Sequence, residues 1–97
     1  MAEVSFHDLA SEEYRHALAQ YHASSPNTAD RFENEASKIL SLLESSPELY
    51  PELEPGVRCA AFSRFPYCFI YRVSPDLVEI IALAHTSQRP GYWKGRA

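Results

Sequence analysis

Cationic and aromatic side chains are concentrated at the carboxyl end of this chain. Residues 85–96 hold side chains of the kinds that bind phosphate, stack on bases or grip a protein partner. They are His85, Arg89, Tyr92, Trp93, Lys94 and Arg96. The two apolar runs that precede this segment are expected to be core strands. The segment itself has no such structural explanation. We therefore predict that residues 86–96, named the tail below, carry function together with His85.

One chemistry that suits these side chains is the cleavage of RNA without a metal. Cleavage through the sugar hydroxyl needs a base, an acid for the leaving oxygen, and cations for the charged transition state. A histidine can change its charge near neutral pH, so His85 could serve as base or acid. Arg64 and Arg89 could hold phosphate bidentately, while Tyr92 or Trp93 could stack on a base. If the chain is a nuclease, the predicted catalytic residues are His85, Arg64, Arg89 and Tyr92.

The same part of the chain also suits a surface that binds a protein partner. In strands, alternate side chains point to opposite faces. Arg58 or Arg64, Arg72 and His85 could then converge on the sheet face away from the helices, although the register is open. With the tail added, the predicted partner-binding residues are Arg58, Arg64, Arg72, Arg89, Trp93 and Arg96.

The first half of the chain predicts a short strand followed by a helix. Val4 and Phe6 share one face of a strand over residues 3–6. Asp8 or Ser11 offers a helix N-cap, and apolar residues then recur at helical spacing. This helix is expected to end near residues 22–23.

A second helix has a cleaner apolar stripe, from Ala29 to Leu43. The connector over residues 24–28 supplies its cap from Ser25 or Asn27, and Pro47 ends it. Because the connector is short, the two helices are predicted to form an antiparallel hairpin with one apolar face.

Three antiparallel strands complete the predicted fold, at residues 57–63, 67–73 and 77–85, after an acidic loop over residues 47–56. The last strand is almost continuously apolar, which indicates a central strand. The order β-α-α-β-β-β predicts an α+β fold, with the helical hairpin packed on one face of a curved, mainly antiparallel, four-stranded sheet.

Size and composition fit one domain over residues 1–97. The chain is 45% hydrophobic and 23% charged, which is ordinary for a globular domain. It has neither an apolar run that could cross a bilayer nor a signal-peptide pattern, so we expect a cytoplasmic location without a membrane partner. The net charge of −4 argues against a general nucleic-acid binder. Because residues 55–97 are basic and residues 1–54 acidic, a small basic site is still compatible with this charge.

No metal site or cofactor is predicted. Cys59 and Cys68 fall on successive strands at a spacing that matches no zinc motif, and they are interpreted as reduced structural thiols. His16 and His22 do not share a helix face. The helix glutamates are assigned to solvated faces. They are Glu12, Glu13, Glu33 and Glu35.

Short segments after the helical hairpin point to a known family. They are Val57-Arg58, Arg64-Phe65-Pro66-Tyr67, Ile70-Tyr71-Arg72, Ala84-His85 and Arg89-Pro90-Gly91-Tyr92-Trp93. In this combination the chain resembles the RelE/ParE superfamily of toxins from type II toxin–antitoxin modules. The resemblance covers nearly the whole chain. It implies the β-α-α-β-β-β fold and an antitoxin partner.

The superfamily divides by target. RelE-like members cut messenger RNA on the ribosome, and by resemblance those roles would fall on Arg58, Arg64, His85, Arg89 and Tyr92. ParE-like members lack that catalytic set and inhibit DNA gyrase. This chain is acidic overall, with Lys38 and Lys94 as its lysines, whereas RelE-like nucleases are strongly basic. It is therefore more similar to ParE-like members.

The resulting hypothesis is a toxin that arrests growth by binding an essential target, with DNA gyrase as the first candidate, and is neutralised by a cognate antitoxin. Enzyme activity is left open, although the sequence favours a toxin that is not an enzyme. One alternative is a ribosome-dependent mRNA endoribonuclease of RelE type. Another is a non-toxic relative that only pairs with its antitoxin. In each case the antitoxin is expected to bind across the sheet, by strand addition and helix docking.

Overall fold

The structure is a computed structural model that describes residues 2–96. Its elements are β1 (Glu3–Phe6), α1 (Asp8–Ser24), α2 (Pro26–Ser45), β2 (Glu52–Glu54), β3 (Val57–Ala61), β4 (Tyr67–Ser74) and β5 (Leu77–His85). The predicted α+β class and the predicted order of helices and later strands are confirmed. β3 is shorter than the strand predicted over residues 57–63, because it ends at Ala61.

The sheet has five strands in the order β1-β5-β4-β3-β2. β1 runs parallel to β5, and the other neighbours are antiparallel. The prediction of four strands is wrong because β2 lies in the segment interpreted as a loop. Pro51 and Pro55 flank this strand, and β2 forms an edge of the sheet. Proline is compatible with a sheet edge, where an amide donor is not required on the open side.

The two helices are capped by side chains and joined by one residue. The His7 Nδ1 atom accepts a hydrogen bond of 3.1 Å from the Leu9 amide, so α1 begins one residue before the earliest predicted start. Ser25 alone separates the helices, and its Oγ accepts a 3.4 Å hydrogen bond from the Thr28 amide. The predicted Ser25 cap is confirmed. α2 ends at Ser45, before Pro47, as predicted.

Aromatic rings form the core between the helices and the sheet. Phe32 on α2 is fully buried. Its ring centroid lies 5.1 Å from those of Phe62 and Phe65 and 5.6 Å from that of Tyr14. Rings at these separations gain stacking and edge-to-face attraction in addition to burial. This core fixes the inner face of the sheet against the helical hairpin.

A β-bulge changes which side chains of β5 face the helices. Tyr71 pairs with Ile80 and Ile70 pairs with Ala82, so Ile81 is the extra residue. The regular alternation of side chains expected for any strand is therefore wrong for β5 beyond the bulge. Ile81 and Ala82 both join an apolar cluster on the face away from the helices. We call this face the outer face.

Candidate functional site

The tail folds back over the outer face of the sheet. Trp93 is 5% exposed and packs in the cluster that contains Val57, Ile70 and Ile81. The sheet is therefore covered on both faces, by the helices on one and by the tail on the other. This double burial explains why β5 is almost continuously apolar.

A carboxylate of α1 fastens the tail. Glu13 accepts two hydrogen bonds of 2.9 Å from Arg96, one at each carboxylate oxygen, and one of 2.8 Å from the Tyr92 hydroxyl. It also accepts the Leu83 amide at 3.0 Å. The Arg96 side chain is only 13% exposed, and its guanidinium lies 5.1 Å from the centre of the Tyr92 ring. We call Glu13, Tyr92 and Arg96 the tail clamp.

Several other predicted site residues also hold the protein together. Arg72 pairs with Glu79 at 2.9 Å and donates to the Arg96 carbonyl at 3.3 Å. Arg58 donates to the Tyr50 carbonyl at 2.6 Å and so fixes the loop before β2.

Lys94 also has an acidic partner, because its ammonium lies 3.1 Å from the Glu54 carboxylate. This pair links the tail to the edge strand β2. Both side chains are substantially exposed, so the pair is expected to add little stability.

Arg64 and Arg89, by contrast, have exposed side chains. Arg64 follows β3 on a bend at which the Glu35 carboxylate accepts hydrogen bonds from the amide and hydroxyl of Ser63. Burial acts to raise the pKa of Glu35, but these bonds and the charge of Arg64 act against it, and the net result is a lowered pKa. Arg89 lies on the tail, away from this bend.

His85 ends β5 and is partly buried. Its ring packs edge-on against Tyr67, with centroids 4.9 Å apart. The His85 Nδ1 atom accepts the Ser87 amide at 3.0 Å and lies 2.7 Å from the Ser87 hydroxyl. These contacts order the first turn of the tail.

The predicted convergence of Arg58 or Arg64 with Arg72 and His85 is wrong. Arg58 pairs with Tyr71, whereas Arg72 pairs with Val57, so the two arginines lie on opposite faces of the sheet. His85 pairs with Tyr67 at the far end of β4. The register, which the sequence left open, therefore separates these three side chains.

The tail and the sheet together enclose a groove of about 290 Å³ on the outer face, which we call the outer groove. Cys59, Cys68, Ile70 and Ala84 line it from the sheet. The tail and β2 line the remaining sides. Their residues in the groove include Leu53, Glu54, Arg89, Tyr92, Trp93 and Lys94. Most of the exposed lining is apolar, and Leu53 is 55% exposed. A groove of this kind suits an apolar segment of a partner.

Two carboxylates have structural roles that the sequence does not predict. The sequence places Glu13 and Glu35 on solvated helix faces, but each binds residues distant in the chain. The signal was in their spacing. Glu13 comes three residues after buried Ala10, and Glu35 comes three residues after buried Phe32. On a helix that spacing places both carboxylates beside the buried stripe.

Two kinds of site are not found in the described residues. Over residues 2–96, no group of three or more histidine, cysteine or acidic side chains is arranged to hold a metal ion. Neither helix of that range has the length and apolar character that crossing a membrane requires.

Comparison with known families decides the classification. Residues 4–90 match the family described as ParE toxin of the type II toxin–antitoxin system, parDE. The chain belongs to the ParE toxin family. The resemblance inferred from the sequence is thereby confirmed, including its leaning toward ParE-like members.

A solved structure supports the fold assigned to this ParE-family chain. The structure described as the chromosomal ParDE TA system from P. aeruginosa superposes with a TM-score of 0.73 and 18% identity. The match covers 88% of this chain and 96% of that one. At that identity the likeness shows the fold alone. No curated protein matches this sequence.

Proposed function

We propose that this ParE-family chain arrests growth by binding an essential protein target, with DNA gyrase as the first candidate. We further propose that a cognate antitoxin neutralises it by occupying the outer groove. The observation that carries the proposal is the use of the tail. Tyr92, Trp93 and Lys94 line the outer groove, while Arg96 and Lys94 are each paired with a carboxylate. These side chains serve the protein's own structure instead of surrounding a reacting atom.

Most arginines among the predicted site residues are held by partners within the protein, which argues against a nuclease. A phosphate-cleaving site needs cations that are already aimed at the position where charge develops in the transition state. Arg96 and Arg72 are held by Glu13 and Glu79, and Arg58 is held by a backbone carbonyl. Arg64 and Arg89 are the exposed members of the predicted site, and they occupy different parts of the surface.

The candidate acid and base groups lead to the same conclusion. Burial and the hydrogen bond to Glu13 raise the pKa of Tyr92 well above its ordinary value. The phenol therefore stays protonated and is a poor general base at neutral pH. His85 directs Nδ1 to Ser87 in the first turn of the tail, where its contacts organise the backbone.

The outer groove suits an antitoxin segment of a particular composition. Apolar side chains would fill the floor beside Trp93 and Ile70. Acidic side chains would meet Arg89 at the rim, where charge complementarity promotes association. The acidic edge strand β2 closes one side, so apolar docking into the groove is favoured over simple strand addition at that edge.

The target is tested with purified protein and bacterial cells. Induction should arrest growth with DNA-damage signalling, and the purified chain should inhibit supercoiling by gyrase. His85→Ala should leave both effects within about twofold, because His85 has no catalytic role in this proposal. Arg89→Ala should weaken inhibition, whereas Arg15→Ala, an exposed arginine on α1, should not.

The competing activities give different outcomes in the same experiments. Ribosome-dependent cleavage of messenger RNA, slowed by about 10²-fold or more in His85→Ala, would overturn the binding proposal in favour of a nuclease. Absence of growth arrest, with binding to the antitoxin retained, would instead identify a non-toxic relative.

Antitoxin binding is tested through Trp93, the one tryptophan of the chain. Titration with the antitoxin encoded beside this gene should change the emission of Trp93 and protect the tail from hydrogen exchange. A complex in which the outer groove stays open would refute this part of the proposal.

A further inference from the structure

The two cysteines form a thiol pair on the outer face. Cys59 on β3 pairs with Ile70, and Cys68 on β4 pairs with Ala61. The cysteines are therefore diagonal neighbours on adjacent strands, and both line the outer groove. Each is a free cysteine that keeps part of its surface exposed. The tail, with Trp93, stands on the opposite side of the groove.

The two thiols are unlike in their acidity. A hydrogen bond from the Cys68 thiol lowers the pKa of Cys59 to about 7, against the opposing effect of burial. The same hydrogen bond, together with burial and the neighbouring charge of Cys59, raises the pKa of Cys68. This hydrogen bond therefore favours the thiolate form of Cys59, while Cys68 stays protonated as its donor. The thiolate is the nucleophilic form of cysteine.

We propose that the Cys59–Cys68 pair is a thiol-modification site that reacts with small disulfides entering the outer groove, with Cys59 as nucleophile and Cys68 as the positioning donor. The Cys59 thiolate attacks one sulfur of a disulfide RSSR. A Cys59–SR bond forms, the S–S bond of the reagent breaks, and RS⁻ leaves with the electron pair and takes a proton from water. The reaction is an exchange and consumes no separate oxidant.

Modification of Cys59 would control access to the outer groove. An adduct on Cys59 fills space beside Trp93, so, resting on the function proposed above, it would compete with an antitoxin segment for the same groove. Reduction by a small thiol would reverse the exchange and reopen the groove. The toxin's capacity to be neutralised would thereby depend on the thiol–disulfide state of its surroundings.

The lowered pKa gives Cys59 a larger thiolate fraction at pH 7 than an ordinary cysteine has, which favours its reaction. The lower basicity of that thiolate reduces its intrinsic nucleophilicity and offsets part of the gain. Cys59 should therefore react faster than Cys68 at pH 7.

The test uses the isolated chain, glutathione disulfide as the probe, and mass spectrometry of the intact and digested protein. One adduct should form, on Cys59, with a rate that has its midpoint near pH 7 and with a change in Trp93 emission. Cys59→Ser should remove this fast reaction. Cys68→Ala should slow it at pH 7 and move the midpoint of the rate upward, toward the ordinary cysteine pKa.

The proposal is overturned if the adduct forms mainly on Cys68, if the midpoint for the native chain lies near pH 9, or if neither thiol reacts before the protein is unfolded. Should Cys68→Ala fail to fold, the midpoint and adduct position of the native chain still decide. Adducted and unmodified chains are then compared for antitoxin binding, and the adduct should weaken it at least about tenfold. If the unmodified chain binds no antitoxin in the groove, the proposed function fails while the thiol result stands by itself.

Discussion

Removal of the Glu13 carboxylate tests how the tail is held. Glu13 receives four hydrogen bonds, two from Arg96 and one each from Tyr92 and Leu83. Glu13→Ala leaves the Arg96 guanidinium, which is 13% exposed, without its carboxylate. It also leaves the Leu83 amide without its acceptor and the Tyr92 hydroxyl with the longer 3.4 Å contact to the Leu83 carbonyl.

The size of the effect follows from burial. Breaking a fully buried ion pair by removing one partner costs about 3–5 kcal/mol, and a hydrogen bond to a charged group contributes about 1.5–3 kcal/mol. The Glu13 side chain is 22% exposed, so water partly replaces the lost contacts. We expect Glu13→Ala to lower the free energy of unfolding by about 2–4 kcal/mol, which for a domain of this size lowers the Tm by roughly 8 °C or more.

Urea unfolding is the appropriate assay, followed by Trp93 emission for the tail and by circular dichroism for the helices. Glu12→Ala is the matched control, because Glu12 is the exposed neighbour on the same helix and both changes create alanine. If Glu13→Ala releases the tail alone, the Trp93 emission should shift to the red in the absence of denaturant, while the circular dichroism of the helices stays unchanged. If Glu13→Ala unfolds within about 0.5 kcal/mol of Glu12→Ala and Trp93 stays buried, the tail clamp does not hold the tail.

Two further predictions concern contacts outside the tail clamp. The lowered pKa of Glu35 means that its carboxylate contributes stability above the ordinary pKa of 4.5 and loses it as the pH falls through the folded value. Glu35→Gln should therefore flatten the loss of stability below about pH 4.5, as measured by urea midpoints across pH. The Tyr71 hydroxyl donates to the Pro47 carbonyl at 2.9 Å. Tyr71→Phe should lower the free energy of unfolding by about 1–2 kcal/mol, measured by urea denaturation, since the carbonyl loses its donor.

The predictions for Glu35→Gln and Tyr71→Phe each have a matched control variant. Glu33→Gln changes an exposed glutamate on the same helix as Glu35, and it should leave the acid dependence as in the native chain. A pH profile of Glu35→Gln that follows the native one would contradict the role given to that carboxylate. Tyr67→Phe removes a hydroxyl from the same face of β4, and an equal cost for both tyrosines would show that the contact with Pro47 contributes nothing specific.

Local patterns were sufficient where one segment determines its own structure. Ser25 caps α2 because its side chain reaches an amide three residues away, and α2 ends before Pro47 because proline removes a donor. The apolar run of β5 predicts a central strand, and this prediction does not depend on which strands lie beside it. These features depend on short-range chemistry, so the sequence carries them directly.

Features that depend on pairing were not predictable in the same way. The bulge at Ile81 shifts the register by one residue, and whether it forms depends on how both faces of the sheet are covered. Its consequence for the candidate site is large, because the faces of all later side chains in β5 exchange. The short edge strand β2 likewise exists only because β3 lies beside it.

The sequence by itself determined the α+β class, the family resemblance, and the concentration of cations and aromatic rings in residues 85–96. Only the tertiary structure decided what that concentration does. Glu13 and Arg96 are far apart in the chain, and their 2.9 Å pairing requires α1 and the tail to meet at the sheet. Side-chain type can be read one residue at a time, but whether a cation is free or already neutralised depends on which distant residue folding places beside it.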